Sequence, residues 1–127
     1  MSNGNLITNL GKQIIMNRVF TSVPTMLAPT LFQVGTGTTT PTSANTVLAT
    51  PLGGTAAFIA GYPIIDETNN IVTIRCLIDT ATDNGNSITE FGLFNNDGTK
   101  KLFSRAVYNV ITKTAQVQII YSEREVF

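Results

Sequence analysis

The sequence predicts a mainly β protein, a small antiparallel β-sandwich carrying a short N-terminal α-helix. Three observations predict it. From Leu31 onward apolar residues recur with a period of two, the spacing of a half-buried strand. Clusters such as Asp83-Asn-Gly-Asn-Ser87 and Asn95-Asn-Asp-Gly98 punctuate those runs at intervals typical of sandwiches. Only the first twenty residues repeat apolar side chains at three and four, so no helix is available for parallel crossovers. At 127 residues the chain is read as one domain, 1–127, with a helix within 1–22 and the sandwich over 30–127.

Taken in order, Asn5 to Phe20 places Leu6, Ile7, Leu10, Ile14 and Ile15 on one stripe of a helix. Asn3 or Asn5 would supply the N-cap oxygen. Gly11 costs a helix about 1 kcal/mol relative to Ala, so this helix needs a surface to lie on. Pro24 and Pro29 then force an extended segment. Ile71 to Asp79 alternates Val72, Ile74, Cys76 and Ile78 against Thr73, Arg75 and Asp79. Ile88 to Phe94 and Lys101 to Val110 flank an Asp-Gly turn, the mark of a hairpin. Parity puts Phe91 and Leu93 on one face of its first arm, and Leu102, Ala106, Tyr108 and Val110 on one face of the second. A last strand is expected from Ala115 to Tyr121, with Ala115, Val117, Ile119 and Tyr121 on its apolar side.

Composition narrows the partners. Lys plus Arg and Asp plus Glu both number 8, so the formal charge is zero and nothing favours nucleic acid or an anionic membrane. Charged residues are only 13% of the chain, and a neutral, charge-poor surface lacks the repulsion that keeps monomers apart. Self-association is therefore expected. The single cysteine, Cys76, can form no intrachain disulfide. No cationic leader and no apolar run of membrane-spanning length is present, which sets an expectation of assembly in a reducing cytoplasm without membrane insertion.

The candidate chemical motifs fall away one by one. Leu31 to Asn45 feeds an apolar run into Gly35-Thr-Gly37, but no Lys follows the second glycine as a phosphate loop requires. A dinucleotide turn would need a third glycine and a helix, whereas Thr38 to Ser43 is β-branched and broken by Pro41. The segment reads as a strand ending in a tight turn, with glycine supplying positive φ. With no His in the chain, Ser-His and Cys-His nucleophiles are impossible. Asp66 with Glu67, Asp79 with Asp83, and Glu123 with Glu125 are the possible carboxylate pairs, read as solvated turn or strand-end groups. Asp79, Asp83, Asn84 and Asn86 do not follow the spacing of a calcium loop. Cys76 reads as a small hydrophobe, and Lys100 and Lys101 as guards of a strand edge. No catalytic residue, cofactor or metal is expected.

Several stretches resemble a known class. These are Leu6-Ile7-Thr8-Asn9 with Gly11-Lys12, Phe32-Gln-Val-Gly-Thr-Gly37 followed by Pro41 and Leu48, Glu90-Phe-Gly-Leu-Phe-Asn95 with Asp97-Gly98, Leu102 to Val107, and Lys113-Thr114 with Tyr121. Together they resemble the small structural modules of tailed bacteriophages found in tail-fibre, tail-collar and related virion proteins. The resemblance implies a non-catalytic homo-oligomer, a trimer, that docks to other virion proteins. With no shaft repeat in this sequence, short fibre, collar, neck and head-decoration roles all stay open. Two contact surfaces are expected: the helix stripe Leu6, Leu10, Ile14 with Phe20, and the Thr-rich loop carrying Thr36, Thr38, Thr39, Thr40 and Thr42, which could also meet a host-surface glycan. A carbohydrate-binding module or adhesin is the rival reading. It would favour Trp, which is absent.

Overall fold

The structure, a computed structural model, describes residues 6–127. It is mainly β, two antiparallel sheets and one short helix, as the periodicity requires. In chain order the elements are β1 (Leu6–Ile7), α1 (Asn9–Phe20), β2 (Pro29–Gly35), β3 (Pro51–Ala57), β4 (Ile64–Asp66), β5 (Ile71–Ile78), β6 (Ser87–Asn95), β7 (Leu102–Thr112) and β8 (Ile119–Val126). One sheet has five strands in the order β1-β7-β6-β2-β3, and the other has three in the order β4-β5-β8.

The core lies between the sheets. Phe32, Val34, Ile88, Phe91 and Leu93 of the larger sheet meet Ile74, Cys76, Ile78, Ile119 and Tyr121 of the smaller. Phe91 stacks on Tyr121 at 4.4 Å between ring centroids and on Phe32 at 6.0 Å, so one aromatic column crosses the sandwich. The alternation read in Ile71 to Asp79 holds: Ile74, Cys76 and Ile78 are buried, and Arg75 and Leu77 face solvent.

The hairpin of β6 and β7 departs from simple parity. Phe91 opposes Ala106 and Leu93 opposes Ser104, but Phe94 opposes Leu102, so β7 has one extra residue there. That bulge turns Leu102 to the other face of the sheet. Leu102 joins Phe94 and Leu48 in a second cluster, while Phe103 packs against the main core. Leu102 and Ala106 therefore do not share a face. Val110, expected on the same apolar side, is 59% exposed within a second register shift.

The last strand also begins later than expected, because Val117 N–H closes a turn onto Thr114 O and leaves Ala115 in that turn. Ile119 and Tyr121 point inward as expected, and the inward row continues to Glu123. Lys100 and Lys101 guard no edge. They lie in the hairpin turn, where Lys101 Nζ is 3.4 Å from Asp97, and β7 runs between two strands.

At the N-terminus, Leu6 and Ile7 are paired with Arg105 and Ser104 and do not belong to the helix. The N-cap is Thr8, whose Oγ1 accepts from Gly11 N–H at 3.0 Å and donates to Leu102 O at 2.6 Å. Asn3 and Asn5 lie outside the described residues. Thr8 thus caps the helix and pins it to β7 with one hydroxyl.

Gly11 explains why the helix starts so close to the sheet. A Cβ at this position would overlap the carbonyl of Phe103 and crowd Ile7. Gly11→Ala should therefore destabilise the fold by about 1–3 kcal/mol through overpacking, although alanine is the better helix former by about 1 kcal/mol. Chemical denaturation checks this, and a midpoint raised by the substitution would contradict the packing account.

Candidate functional site

Two regions stand out once the fold is in place: the Thr-rich loop from residue 36 to residue 50, and the outward face of α1. Each is positioned by a specific internal device.

The loop is held by a buried carboxylate. Alternation along β6 turns Phe91 and Leu93 into the core and Glu90, Gly92 and Phe94 to the opposite face, over which the loop folds. Glu90 Oε2 accepts from Gly37 N–H at 2.8 Å and Thr50 N–H at 2.7 Å, and Oε1 accepts from Ala49 N–H at 2.9 Å. Arg105 Nε donates to the same Oε1 at 3.0 Å, and both members of this pair are buried. The guanidinium goes on to donate to Asn45 Oδ1 and Thr39 Oγ1, each at 3.2 Å. One ion pair therefore fixes the loop at Gly37, Thr39, Asn45, Ala49 and Thr50.

The Gly-x-Gly turn does cradle an anion, and the anion is the protein's own Glu90. Gly35 and Gly37 are not among the residues with positive φ. They are glycines because a Cβ at either would run into the Glu90 carboxylate. The expected reason, backbone conformation, is replaced by close approach. Thr89 Oγ1 donates to Gly37 O at 2.7 Å and secures the turn from the next residue of β6. Gly92 leaves room for Leu48, which is 1% exposed and plugs the loop onto the sheet.

Burial alone would raise the Glu90 carboxyl. The bonds from Thr50, Ala49, Arg105 and Gly37 outweigh it and hold the group below its ordinary value of 4.5. Of the expected loop contacts, Thr38, Thr39, Thr40 and Thr42 are exposed and Thr36 is half-buried, its N–H bonded to Thr50 O. They are presented together on an anchored loop.

The expected helix stripe is not brought together as a surface. Leu6 sits in β1, Leu10 is half-buried, and Ile14 is buried with 1% exposure on the inner face of the helix. Phe20 alone among those four is prominent, at 83% exposure. It is joined by Met16, Val19 and, just past the helix end, Val23, all more than half exposed. Inner packing thus consumes the stripe that periodicity first suggests, and a second stripe remains outside.

Several other titratable groups are engaged in the fold. Asp66 Oδ1 accepts from the Thr68 and Asn69 amides, and its Oδ2 from Asn69 Nδ2; the Asn69 side chain first, then the backbone bonds, hold its carboxyl low. Asp79 is held low by Thr82 Oγ1 and then by Ala81 N–H. Lys113 is wholly buried, with Nζ 2.7 Å from Asn84 Oδ1 and 3.0 Å from Thr114 O, tying the 79–86 turn to the end of β7. Tyr108 donates to Glu123 Oε1 at 2.6 Å. Burial pushes the Cys76 thiol up to about 12, with Glu123 adding to the effect, so it is a poor nucleophile at neutral pH.

Among the described residues no three His, Cys, Asp or Glu side chains are grouped to hold a metal ion, and no helix is long and apolar enough to cross a membrane. A cavity of about 200 Å³ near Gln33, Leu52, Asp79 and Asp83 opens at one end of the sandwich. An apolar one of about 200 Å³ lies between Pro29, Val72, Phe103 and Phe127. Thr82 also lines the first, where its hydroxyl donates to Asp79 Oδ1 at 2.6 Å. No protein-family model, curated protein or solved structure matches the chain.

Sequence reasoning missed the roles of Glu90, Arg105 and Lys113, and the outer residues Met16, Val19 and Val23. The available signal was a charge inside each of two otherwise apolar strands. Glu90→Gln should cost about 3–5 kcal/mol, since it leaves Arg105 buried without its counter-ion. Because the folded carboxyl titrates below its unfolded value, its contribution is present above about pH 4.5 and is lost as pH falls through the folded value. Urea unfolding from neutral to acid pH checks both. Wild type should lose stability on acidification, and the Gln variant should lose less.

Proposed function

We propose that this chain is a non-enzymatic structural component of a tailed-phage virion, of tail-fibre, collar or neck type, which associates with copies of itself and docks to another virion protein. The observation that carries the reading is the outward stripe of α1. Met16, Val19, Phe20 and Val23 leave a run of large apolar side chains in water on a neutral chain, and exposed apolar patches of this kind mark protein contacts.

Two further observations support it. The stretches that resemble phage modules, Phe32 to Gly37, Glu90 to Asn95 and Leu102 to Val107, are those that build the loop clamp. Asp66 and Asp79 are bound into turns and Glu90 with Arg105 into a buried pair, which suits a scaffold. A capsid-decoration role uses the same chemistry and differs in copy number. Contact with a host glycan is the second reading, favoured by the exposed Thr38, Thr40 and Thr42 on a loop fixed from beneath through Thr39.

The test is the presence and copy number of the chain in purified particles, measured beside the native mass of the free protein. A small fixed number per particle is expected for the tail, and hundreds would move the chain to the head. Absence from particles together with turnover of a small molecule would end the proposal. Met16→Lys should weaken docking at least tenfold while the thermal melt stays within error, because that side chain is already in water. Replacement of Thr38 and Thr40 by Ala with normal adsorption would remove the glycan reading.

A further inference from the structure

The turn between β5 and β6 meets the end of β7 through one amine and one amide. Lys113 is wholly buried and Asn84 is exposed, and Lys113 Nζ donates to Asn84 Oδ1 at 2.7 Å and to Thr114 O at 3.0 Å. Among the described residues no carboxylate forms an ion pair with this amine. The contact is fixed from several sides. Lys113 N–H donates to Asn86 O at 2.9 Å, and Gly85 N–H donates to Lys113 O at 2.8 Å. Gly85 has a φ of +85°, which glycine adopts without the cost a side chain would add. Asn84 Nδ2 donates to Thr80 O at 2.9 Å, so the amide is held with its oxygen toward the amine.

This arrangement bears on the amide carbon of Asn84. Cγ lies one carbonyl bond beyond Oδ1, so Nζ is held within about 4 Å of it, close to the range of about 3–3.5 Å from which bonds form. In an Asn-Gly pair the usual attacker of that carbon is the following backbone nitrogen, which closes a succinimide. Here the Gly85 N–H is occupied by Lys113 O. The fold therefore engages one nucleophile and presents another.

We propose that Lys113 and Asn84 become joined by an isopeptide bond that the folded chain forms by itself. The amine in its neutral form, having given one proton to solvent, adds through its nitrogen lone pair to Cγ. The Nζ–Cγ bond forms, the Cγ–Nδ2 bond breaks, and a proton passes from Nζ to Nδ2, which leaves as ammonia. One amide replaces another, so nothing is oxidised or reduced and no co-reactant is consumed. Exposure of Asn84 gives the ammonia a way out, while burial of Lys113 keeps the amine on its target. The bond ties residues 29 positions apart. The loop it closes contains β6 and β7, the hairpin that carries Glu90 and Arg105, and closing it restricts the unfolded chain.

Intact mass spectrometry of the purified full chain, followed by peptide mapping, tests this. Wild type should weigh one ammonia less than its sequence requires, and proteolysis should release a branched peptide that joins Asn84 to Lys113. Lys113→Arg and Asn84→Ala should each return to the sequence mass. Asn84→Ala alters an exposed side chain and keeps the comparison usable if Lys113→Arg fails to fold. A succinimide at Asn84-Gly85 or Asn3-Gly4 loses ammonia too, but hydroxylamine cleaves the chain there and the loss survives Lys113→Arg. Wild type that keeps its sequence mass after prolonged incubation, an ammonia loss that persists in Lys113→Arg, or a map without the branched peptide would each overturn the inference.

Discussion

The Glu90 carboxylate is the constraint on which the Thr-rich side of the molecule depends. A charge taken out of water must be met by donors at every oxygen or its desolvation cost is unrecovered. Here the donors are one guanidinium and the amides of Gly37, Ala49 and Thr50. Those amides belong to a loop with no strand or helix of its own between residues 36 and 50. The carboxylate supplies the partners that secondary structure would otherwise give the loop backbone. The loop in turn gives the ion pair its shelter, so neither is stable in this form without the other.

The same coupling reaches the helix. Arg105 opposes Leu6 in β1, and Asn9 N–H at the start of α1 bonds to Ser43 O in the loop at 2.8 Å. Thr8 lies between them with its hydroxyl on Leu102 O. Loop, helix start and bulged β7 therefore form one connected unit on the face of the larger sheet away from the main core. Leu48, Phe94 and Leu102 give that unit a small apolar cluster of its own. The consequence is positional: the exposed threonines and the outer side of α1 are carried on one connected unit.

The two surfaces are of different kinds. The outer side of α1 leaves Met16, Val19 and Phe20 in water, with Lys12 exposed one turn earlier on the same side. The loop leaves Thr38, Thr39, Thr40 and Thr42 exposed, with the Thr39 hydroxyl accepting from Arg105 and the Thr42 amide donating to Asn45.

Much of this was legible in the sequence, and the limits follow from what alternation can and cannot carry. Period-two runs located β5 and β6 and their inward residues, because a side chain that must leave water chooses its face wherever pairing is regular. Regularity failed at the bulge, where one extra residue in β7 sent Leu102 to the second cluster against its parity. Helical spacing found the segment ending at Phe20 but chose the wrong stripe as free, since Ile14 and Gly11 are used against β7 and Met16 and Val19 are what remain; which of two apolar faces is spent internally depends on what lies beneath. Glycine at 35 and 37 was visible as a signal and its cause was not, because the oxygen it accommodates comes from Glu90, more than fifty residues away. Sequence by itself determined the fold class, the neutral charge and the lack of histidine chemistry, all of which are properties of local pattern and composition. Only the tertiary structure decided which charges are buried as partners and which apolar face is left exposed, because both depend on contacts between residues distant in the chain.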